Sequence, residues 1–539
     1  MKLRRGLVLT AEVAEERMLA LISETLAKSR VESRHDVERL KLKLAKELKL
    51  NRIPNNLELL AHAKPEYREK LSRILRKKEV KTLSGVSIIT VVAPIYFCPH
   101  GKCIYCPGGV ADGTPQSYTG AEEAVKLASS VMYDPYKQVQ KQVRKLMEMG
   151  HPVDKIELII IGGTFSAMPL EFQRNFLKRC VDAVNQRDAS SLEEALQIAE
   201  HAERRISGIL VETKPDWAKF NHANSLLEMG VTRVEIGVQA LDDEIYRIVN
   251  RGHTLQDVVD ATADLKDLAF KVGYHIMPNL PGSDPDKDLK MFRQLFEDDR
   301  FRPDHLKIYP TLVLPRTGLY RLWLEGGYKP YDDETLVKLL AECLKHVPPY
   351  VRIQRIQREI PLDITIDGNR IPNLRQAVEE YMRVRGWVCR CIRCREVGHK
   401  IKREGIKPNF DKIRINTITY PASGGVETFI SVDEVEHDAL LGFIRLRIPS
   451  RELRVEIRRA SLVRELHVYG YMTPVGKKLD GDGVQHRGIG RMLLAEAEKI
   501  AYEKYDRKKI VVISGVGVRE YYAKLGYFKE GPYMVKTVG

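Results

Sequence analysis

The spacing of apolar positions changes along the chain. In the first 80 residues Val37, Leu40, Leu44 and Leu48 recur at intervals of three and four with lysines between them, the spacing of one helix face. Ile53-Pro54-Asn55-Asn56 reads as a turn before a second helical stretch, and nothing in residues 1–80 alternates as a strand would. From Ser87 the pattern becomes short apolar runs separated by helical segments. Strands are predicted at 87–92, 157–161, 208–212, 233–238, 271–277 and 305–309, each followed by a helix. Six such units imply a parallel sheet that right-handed crossovers curl into a partial (β/α)6 barrel over residues 81–350. Beyond residue 412 strand-length runs at 414–419, 428–432, 440–446 and 462–469 follow one another directly. An amphipathic helix and a further run at 509–514 come after them. The fold class is therefore α/β in two parts: a helical arm (1–80) precedes the barrel, and a linker (351–411) joins it to a second domain (412–539).

Composition narrows this picture. At 539 residues the chain exceeds a single hydrophobic core, and its 43% hydrophobic content is ordinary for a globular protein. No apolar run approaches the roughly 18 residues of a membrane span. The start, Met1-Lys-Leu-Arg-Arg-Gly-Leu-Val-Leu-Thr10, has too short an apolar part for a signal peptide, so a cytoplasmic location without membrane attachment is expected. The net charge of +15 is concentrated. Residues 1–81 carry 21 Lys and Arg against 12 Asp and Glu, and residues 351–420 carry 16 against 8. Two basic segments on a near-neutral body suit a polyanion such as RNA, whereas solvated helix faces are the plainer reading of either segment alone.

Six of the eight cysteines fall into two tight triplets, the usage of metal sites in a reducing compartment. The first is Cys98-Pro-His-Gly-Lys-Cys103-Ile-Tyr-Cys106, on the loop after the first strand and hence at the carboxyl end of the barrel, where such folds place their chemistry. Three thiolates on a four-iron cube leave one iron open to chelate an amine and a carboxylate. The loop is similar to that of the radical S-adenosylmethionine enzymes. Their spacing is Cys-x3-Cys-x2-Cys, whereas here the first gap holds four residues, so a structural zinc with a distant fourth ligand is the alternative. Gly162-Gly163-Thr164 resembles that family's glycine-rich turn beside the methionine end of the cofactor, or is simply a tight turn.

The second triplet, Cys389-Arg-Cys391-Ile-Arg-Cys394, with His399 five residues on, fits a Cys3His zinc site, and Cys343 is a rival fourth ligand. A second redox cluster and unbound thiols are the other readings, and the interleaved arginines could present cations to RNA. Near the end, Gln485-His-Arg-Gly488-Ile489-Gly490-Arg491 opens a helix and resembles the pyrophosphate turn of the GNAT N-acetyltransferases, where helix-start N–H groups converge. Gly517-Val-Arg-Glu-Tyr521-Tyr522-Ala-Lys-Leu-Gly526-Tyr527 matches that family's closing helix. Tyr522 is then the candidate contact to the acyl-coenzyme A, although taken alone both tyrosines could be core aromatics.

In order, Cys98-Pro-His, Cys103-Ile-Tyr-Cys106-Pro-Gly-Gly, Gln116-Ser-Tyr-Thr-Gly120, Gly162-Gly-Thr-Phe165, Arg233-Val-Glu-Ile-Gly-Val-Gln239, Arg302-Pro-Asp-His-Leu-Lys307, Arg464-Glu-Leu-His-Val-Tyr-Gly470 and Gly531-Pro-Tyr-Met-Val535 resemble the Elongator catalytic-subunit family in its single-chain archaeal and bacterial form. The resemblance runs from about Ser84 to the C-terminus. It implies carboxymethylation of a transfer RNA wobble uridine at C5, using a 4Fe–4S cluster, S-adenosylmethionine, acetyl-coenzyme A and water, with the anticodon stem-loop as partner. A homodimer or accessory subunits are compatible with it. By the same resemblance Lys155, Glu465, Leu466, His467, Val468, Ile489, Gly490, Arg491 and Tyr522 would contact acetyl-coenzyme A, with Lys155 and Tyr522 in catalytic roles. A solvent lysine at the sheet edge is the plain alternative for Lys155. Two rival functions stay open at this point. A protein lysine N-acetyltransferase would leave the cluster unexplained, and a noncatalytic RNA-binding scaffold would leave the open-iron cysteine count unexplained.

Overall fold

The computed structural model describes residues 2–30, 34–50, 52–75, 85–470 and 488–539. The amino-terminal arm consists of helices Lys2–Lys28, Arg34–Glu47, Asn56–Ala61 and Pro65–Ile74. The expected helix face is the buried one: Val37 packs with Leu19, Ile22, Leu26, Leu59 and Leu71 in a small core separate from that of the main body, and Leu40, Leu44 and Leu48 lie against it. The Pro54-Asn55 turn works as a helix start, because the Asn55 side chain accepts from Glu58 N–H while the Glu58 carboxylate accepts from Asn55 N–H.

The main body begins with a parallel sheet of β1 (Ser87–Val92), β2 (Lys155–Ile161), β3 (Arg205–Thr213), β4 (Arg233–Gln239), β5 (Lys271–Ile276), β6 (His305–Ile308) and β7 (Arg352–Arg355), adjacent in sequence order. Helices between the strands cover the outer face, as a parallel sheet requires. The six predicted strands are all present. The seventh, Arg-Ile-Gln-Arg, has one apolar residue and lies inside the basic stretch, so it carries no strand signal; it nevertheless pairs with β6 through His305–Arg352 and Leu306–Ile353. The half-barrel thus has seven strands where six were predicted.

The second sheet has the order β13 (Phe528–Glu530), β14 (Tyr533–Thr537), β12 (Lys509–Val512), β11 (Ala460–Val468), β10 (Ala439–Ile448), β9 (Gly425–Glu434), β8 (Ile413–Ala422). Every neighbouring pair is antiparallel except β11 and β12, which run parallel and pair only over Ala460–Val463 and Lys509–Val512. Past Val463 the two strands diverge, and Arg464–Val468 line one side of the resulting wedge.

This sheet docks on the amino ends of the barrel strands. Arg464 forks onto Asp304 at 2.7 Å through both terminal nitrogens and onto Glu427 at 2.9 Å; Arg447 bridges Glu427 at 3.0 Å and Asp267 at 2.6 Å. All five side chains are buried. The backbones also meet. A Cβ on Gly515 would lie 2.2 Å from the Ser207 carbonyl oxygen, and one on Gly517 2.5 Å from Ile206 N, so glycine alone lets β3 and the segment after β12 touch.

Candidate active site

At the carboxyl end of the barrel, each of the three loop cysteines meets a donor from a different segment. Cys98 Sγ lies 3.5 Å from Thr164 Oγ1, and Gln116 Nε2 donates to Cys106 Sγ at 3.2 Å. His100 Nε2 lies 3.2 Å from Cys103 Sγ, and the Arg251 guanidinium points at the same sulfur from 3.6 Å. Burial and the charges of Lys214 and Arg251 push the His100 imidazole down to about 3. The neutral ring therefore accepts from Lys214 Nζ at Nδ1, 3.1 Å away, and donates from Nε2 to the sulfur. This explains the extra residue in the Cys98–Cys103 gap. Gly101, at φ 89°, closes a turn onto the Cys98 carbonyl, and His100 in that turn becomes a donor to the sulfur. Gly252 must be glycine here, since its Cβ would fall 2.3 Å from His100 Cβ.

The pocket fits an anionic iron–sulfur group. Burial pushes the Cys98 and Cys106 thiols up, so the thiolates need a bound cation. Arg251 Nε and both ring nitrogens of His253 are buried nearby without hydrogen-bond partners, the kind of groups that cluster sulfides accept from. Gly162 and Gly163, at φ 130° and 80°, have no room for a side chain: a Cβ would stand 3.0 Å from Ala93 and 2.7 Å from Gln116. Among the described residues, the groups with three ligand atoms within 4.8 Å of one another are Cys389, Cys391 and Cys394, and Glu212, Glu235 and His275. The front cysteines are spread wider, as ligands of a cube rather than of one ion.

A single cavity of about 840 Å³ runs from these cysteines through the barrel interior to the second sheet, where Glu465, Leu466, His467, Gly515 and Tyr522 line it. Tyr522 is buried at its wall, and Glu465 is half-buried. Burial opposes the Glu465 charge, but His305 and Arg445 hold its carboxyl well below the usual range, so it is an acceptor there. Val468 ends the same strand. Helix Ile489–Tyr505 starts beside the wedge with Gly488 at φ 81° and no side-chain cap, which leaves the first N–H groups, those of Ile489, Gly490 and Arg491, turned outward. Gly490 is a close approach, since a Cβ would lie 2.8 Å from the Tyr521 hydroxyl. Gln485 lies outside the described residues. Lys155 sits at the amino end of β2, on the same strand face as Glu157 and Ile159, which line the cavity. Burial lowers its ammonium.

The linker triplet comes together as expected, and its proposed fourth ligand does not. Cys389, Cys391 and Cys394 form a close group beside Arg375, whose Nη2 lies 3.8 Å from Cys394 Sγ. His399 is not in that group. It faces the main cavity, 3.9 Å from Glu396, and burial pushes its imidazole down to about 4. The reason is helical geometry: Val397–Glu404 is a helix, and the face that carries His399 turns toward the cavity rather than back to the thiols. Cys343 is also elsewhere, inside helix Asp333–Lys345 among leucines. His100, Gln116, Lys214, Arg251 and the cluster Glu212, Glu235, His275 and Lys307 were not foreseen. Charged residues at inward positions of predicted strands were the signal that could have exposed the last four.

The chain matches three family profiles: Radical SAM superfamily over residues 92–295, Radical_SAM C-terminal domain over 303–384 and ELP3 N-terminal domain over 15–83. It is 47% identical to the tRNA uridine(34) acetyltransferase of Methanocaldococcus jannaschii over 93% of this chain and 94% of that one. It is 40% identical to Elongator complex protein 3 of Homo sapiens over 93% of both. The chain belongs to this Elongator subunit family. The solved structure of Methanocaldococcus infernus Elp3 with residues 1–46 deleted superposes with a TM-score of 0.76 at 42% identity, covering 85% of this chain and all of that one. The Elongator family's human and archaeal relatives thus span this chain nearly end to end, including the sheet beyond residue 412. No helix of the described residues is long and apolar enough to cross a membrane.

Proposed function

We propose that the protein carboxymethylates C5 of the wobble uridine, position 34, of transfer RNA, using S-adenosylmethionine, acetyl-coenzyme A and water. The observation that carries this reading is the single cavity shared by the Cys98–Cys106 loop and the wedge between β11 and β12. C5 of uridine is too weak a nucleophile for ordinary acetyl transfer, and a carbon–carbon bond must form, so a radical source and an acetyl carrier belong in one enclosure. Cys98, Cys103 and Cys106 would hold the 4Fe–4S cluster, which when bound supplies the electron that cleaves S-adenosylmethionine to a 5′-deoxyadenosyl radical. Gly162, Gly163 and Thr164 would receive the methionine end. Hydrogen abstraction from the acetyl methyl would give a carbon radical that adds to C5; the resulting uridine radical would give up one electron, for which the oxidised cluster is the available acceptor, and the C5 hydrogen as a proton, and hydrolysis of the thioester would leave the carboxymethyl group.

The residues of the chain divide the remaining work. Lys214, through His100, and Arg251 direct hydrogen-bond donors at the cluster sulfur of Cys103 and keep its charge compensated. Glu465 to Val468 and the N–H groups of Ile489 to Arg491 would bind the pantetheine and pyrophosphate of the coenzyme; Tyr522 and, from the barrel, Lys155 would contact its acyl arm. By the sequence resemblance alone, Gln485 would belong to the same phosphate turn. A thiophilic metal such as Zn2+ on Cys389, Cys391 and Cys394 would brace the linker, with its fourth ligand coming from outside the close group. In this reading residues 1–80 and 351–411 are the RNA-binding segments, flanking catalytic units at 81–350 and 412–539. Reconstituted protein incubated with transfer RNA, both cofactors and a reductant should yield a carboxymethylated wobble nucleoside by mass spectrometry. Unmodified transfer RNA would refute the reading.

A further inference from the structure

Midway along the cavity lies a charged group that neither end of the reaction uses. Lys307 Nζ stands 2.6 Å from Glu212 Oε1 and 2.5 Å from Glu235 Oε2, and His275 Nε2 stands 2.9 Å from Glu235 Oε2 and 3.7 Å from Glu212 Oε1. These residues come from four adjacent strands, β3 to β6. The place a divalent cation would take between the two carboxylates is filled by the Lys307 ammonium, so this is not a metal site. It is a carboxylate–imidazole pair whose two carboxylates share one ammonium.

The electrostatics fix the tautomer. Burial opposes the Glu235 charge, but Lys307, the hydrogen bond to His275 and Arg233 hold its carboxyl well below the usual range. An ionised carboxylate only accepts, so His275 presents its Nε2 hydrogen to Glu235, which in the neutral ring leaves the lone pair on Nδ1. Tyr309 of the following loop packs edge-on against the ring, with centroids 5.5 Å apart, and fixes its plane. The groups facing the imidazole are therefore Glu212 from β3, Glu235 from β4, and Lys307 and Tyr309 from β6 and its carboxyl end. With a rise of about 3.3 Å per residue, His275 stands about 13 Å along β5 from Lys271, which feels the charge of Glu465 at the acetyltransferase end. His275 lines the cavity between the cysteines and the second sheet, and the acetyl methyl would have to travel toward the cysteine end to meet a radical there, carrying the adjoining thioester carbonyl toward this imidazole.

We propose that His275 is the general base for hydrolysis of the thioester, held in its working tautomer by Glu235. This rests on the function proposed above. In the step, a water oxygen bonds to the thioester carbonyl carbon while its proton passes to His275 Nδ1. The carbon–sulfur bond then breaks, and the same proton leaves on the sulfur as coenzyme A thiol. The product is a carboxylic acid that ionises in solvent, and nothing is oxidised or reduced.

The test is a single-turnover reaction of the reconstituted full chain with transfer RNA, both cofactors and reductant, with 5′-deoxyadenosine and free coenzyme A thiol measured separately over a range of pH. For His275→Gln we expect 5′-deoxyadenosine at the wild-type rate and thiol release slower by about 10²- to 10⁴-fold, the usual worth of a general base. A transfer RNA-linked coenzyme A thioester should then accumulate and be cleaved by hydroxylamine. The ionisation seen in the wild-type pH–rate profile for thiol release should vanish, and added imidazole should restore release to His275→Ala. Thiol release at the wild-type rate, or with the same ionisation, in His275→Gln overturns the proposal. If the variants fail to fold, a wild-type release rate that does not change with pH overturns it equally. A wild type that forms 5′-deoxyadenosine but no modified uridine instead overturns the function proposal, and that outcome is separate from any behaviour of the variants.

Discussion

Replacing Arg464 with Met should loosen the acetyltransferase sheet from the barrel by an amount the structure allows us to size. The guanidinium is fully buried and satisfies Asp304, Glu427 and the Phe270 carbonyl at 2.6 to 3.1 Å. Removing it leaves Asp304 with the Val272 N–H at 2.8 Å and Arg445 at 3.5 Å, and leaves Glu427 with the Arg447 ion pair at 3.0 Å. Uncompensating a buried charge typically costs about 3–5 kcal/mol, whereas an exposed pair is worth about 0–1. Lys43–Glu47, 3.8 Å apart with side chains 68% and 53% exposed, is the control, and Lys43→Met should change almost nothing. Urea unfolding of the full chain, followed by circular dichroism and by protease cleavage between the two sheets, reads the difference. The pH dependence has a definite sign. Burial alone would raise the Asp304 carboxyl, but Arg464, Arg445 and Lys266 hold it far below its usual range. Its contribution is therefore present above the unfolded-state value of about 3.9 and is lost as the pH falls below that. Arg464→Met should flatten this loss. A variant within about 1 kcal/mol of wild type at neutral pH would refute the view that this network joins the domains.

Three further outcomes follow. Cys103→Ala should abolish bound iron and the iron–sulfur absorbance, because three thiolates are the fewest that hold a cube with one iron open; unchanged iron content would exclude this loop as the cluster site. Gly517→Ala puts a methyl 2.5 Å from Ile206 N and should destabilise the interdomain contact by about 1–3 kcal/mol, seen as earlier proteolysis between the sheets; wild-type resistance would contradict the close packing. Tyr522→Phe and Lys155→Ala should lower acetyl-coenzyme A turnover with transfer RNA affinity unchanged, and equal turnover in both would put the coenzyme elsewhere.

Much of the fold was legible because its strands are long and apolar. The run Leu158-Ile-Ile-Ile161 can only be a buried strand, and the change from helical spacing to β-strand runs at Ser87 marks where the barrel begins. The seventh strand was not legible, since Arg352-Ile-Gln-Arg is held by its neighbour β6 and by Glu396 and Tyr469, which accept from Arg352. His399 shows the opposite failure. Its spacing from Cys394 suits a zinc ligand, but a helix intervenes and turns it to the cavity, an orientation that spacing alone does not encode. The cysteine loops were local and so readable. The donors around them, Lys214 just past β3 and Arg251 between helices Asp243–Ile248 and Leu255–Asp267, are distant in sequence and became visible only once the barrel closed the distance.

The claim that one cavity serves both cofactors is tested most directly by labelling the acetyl group of acetyl-coenzyme A with deuterium on the methyl and carbon-13 in both carbons. The account predicts that deuterium appears in 5′-deoxyadenosine and that both labelled carbons appear together in the group attached to C5 of the wobble uridine. Deuterium-free 5′-deoxyadenosine alongside an unlabelled or unmodified uridine would contradict it.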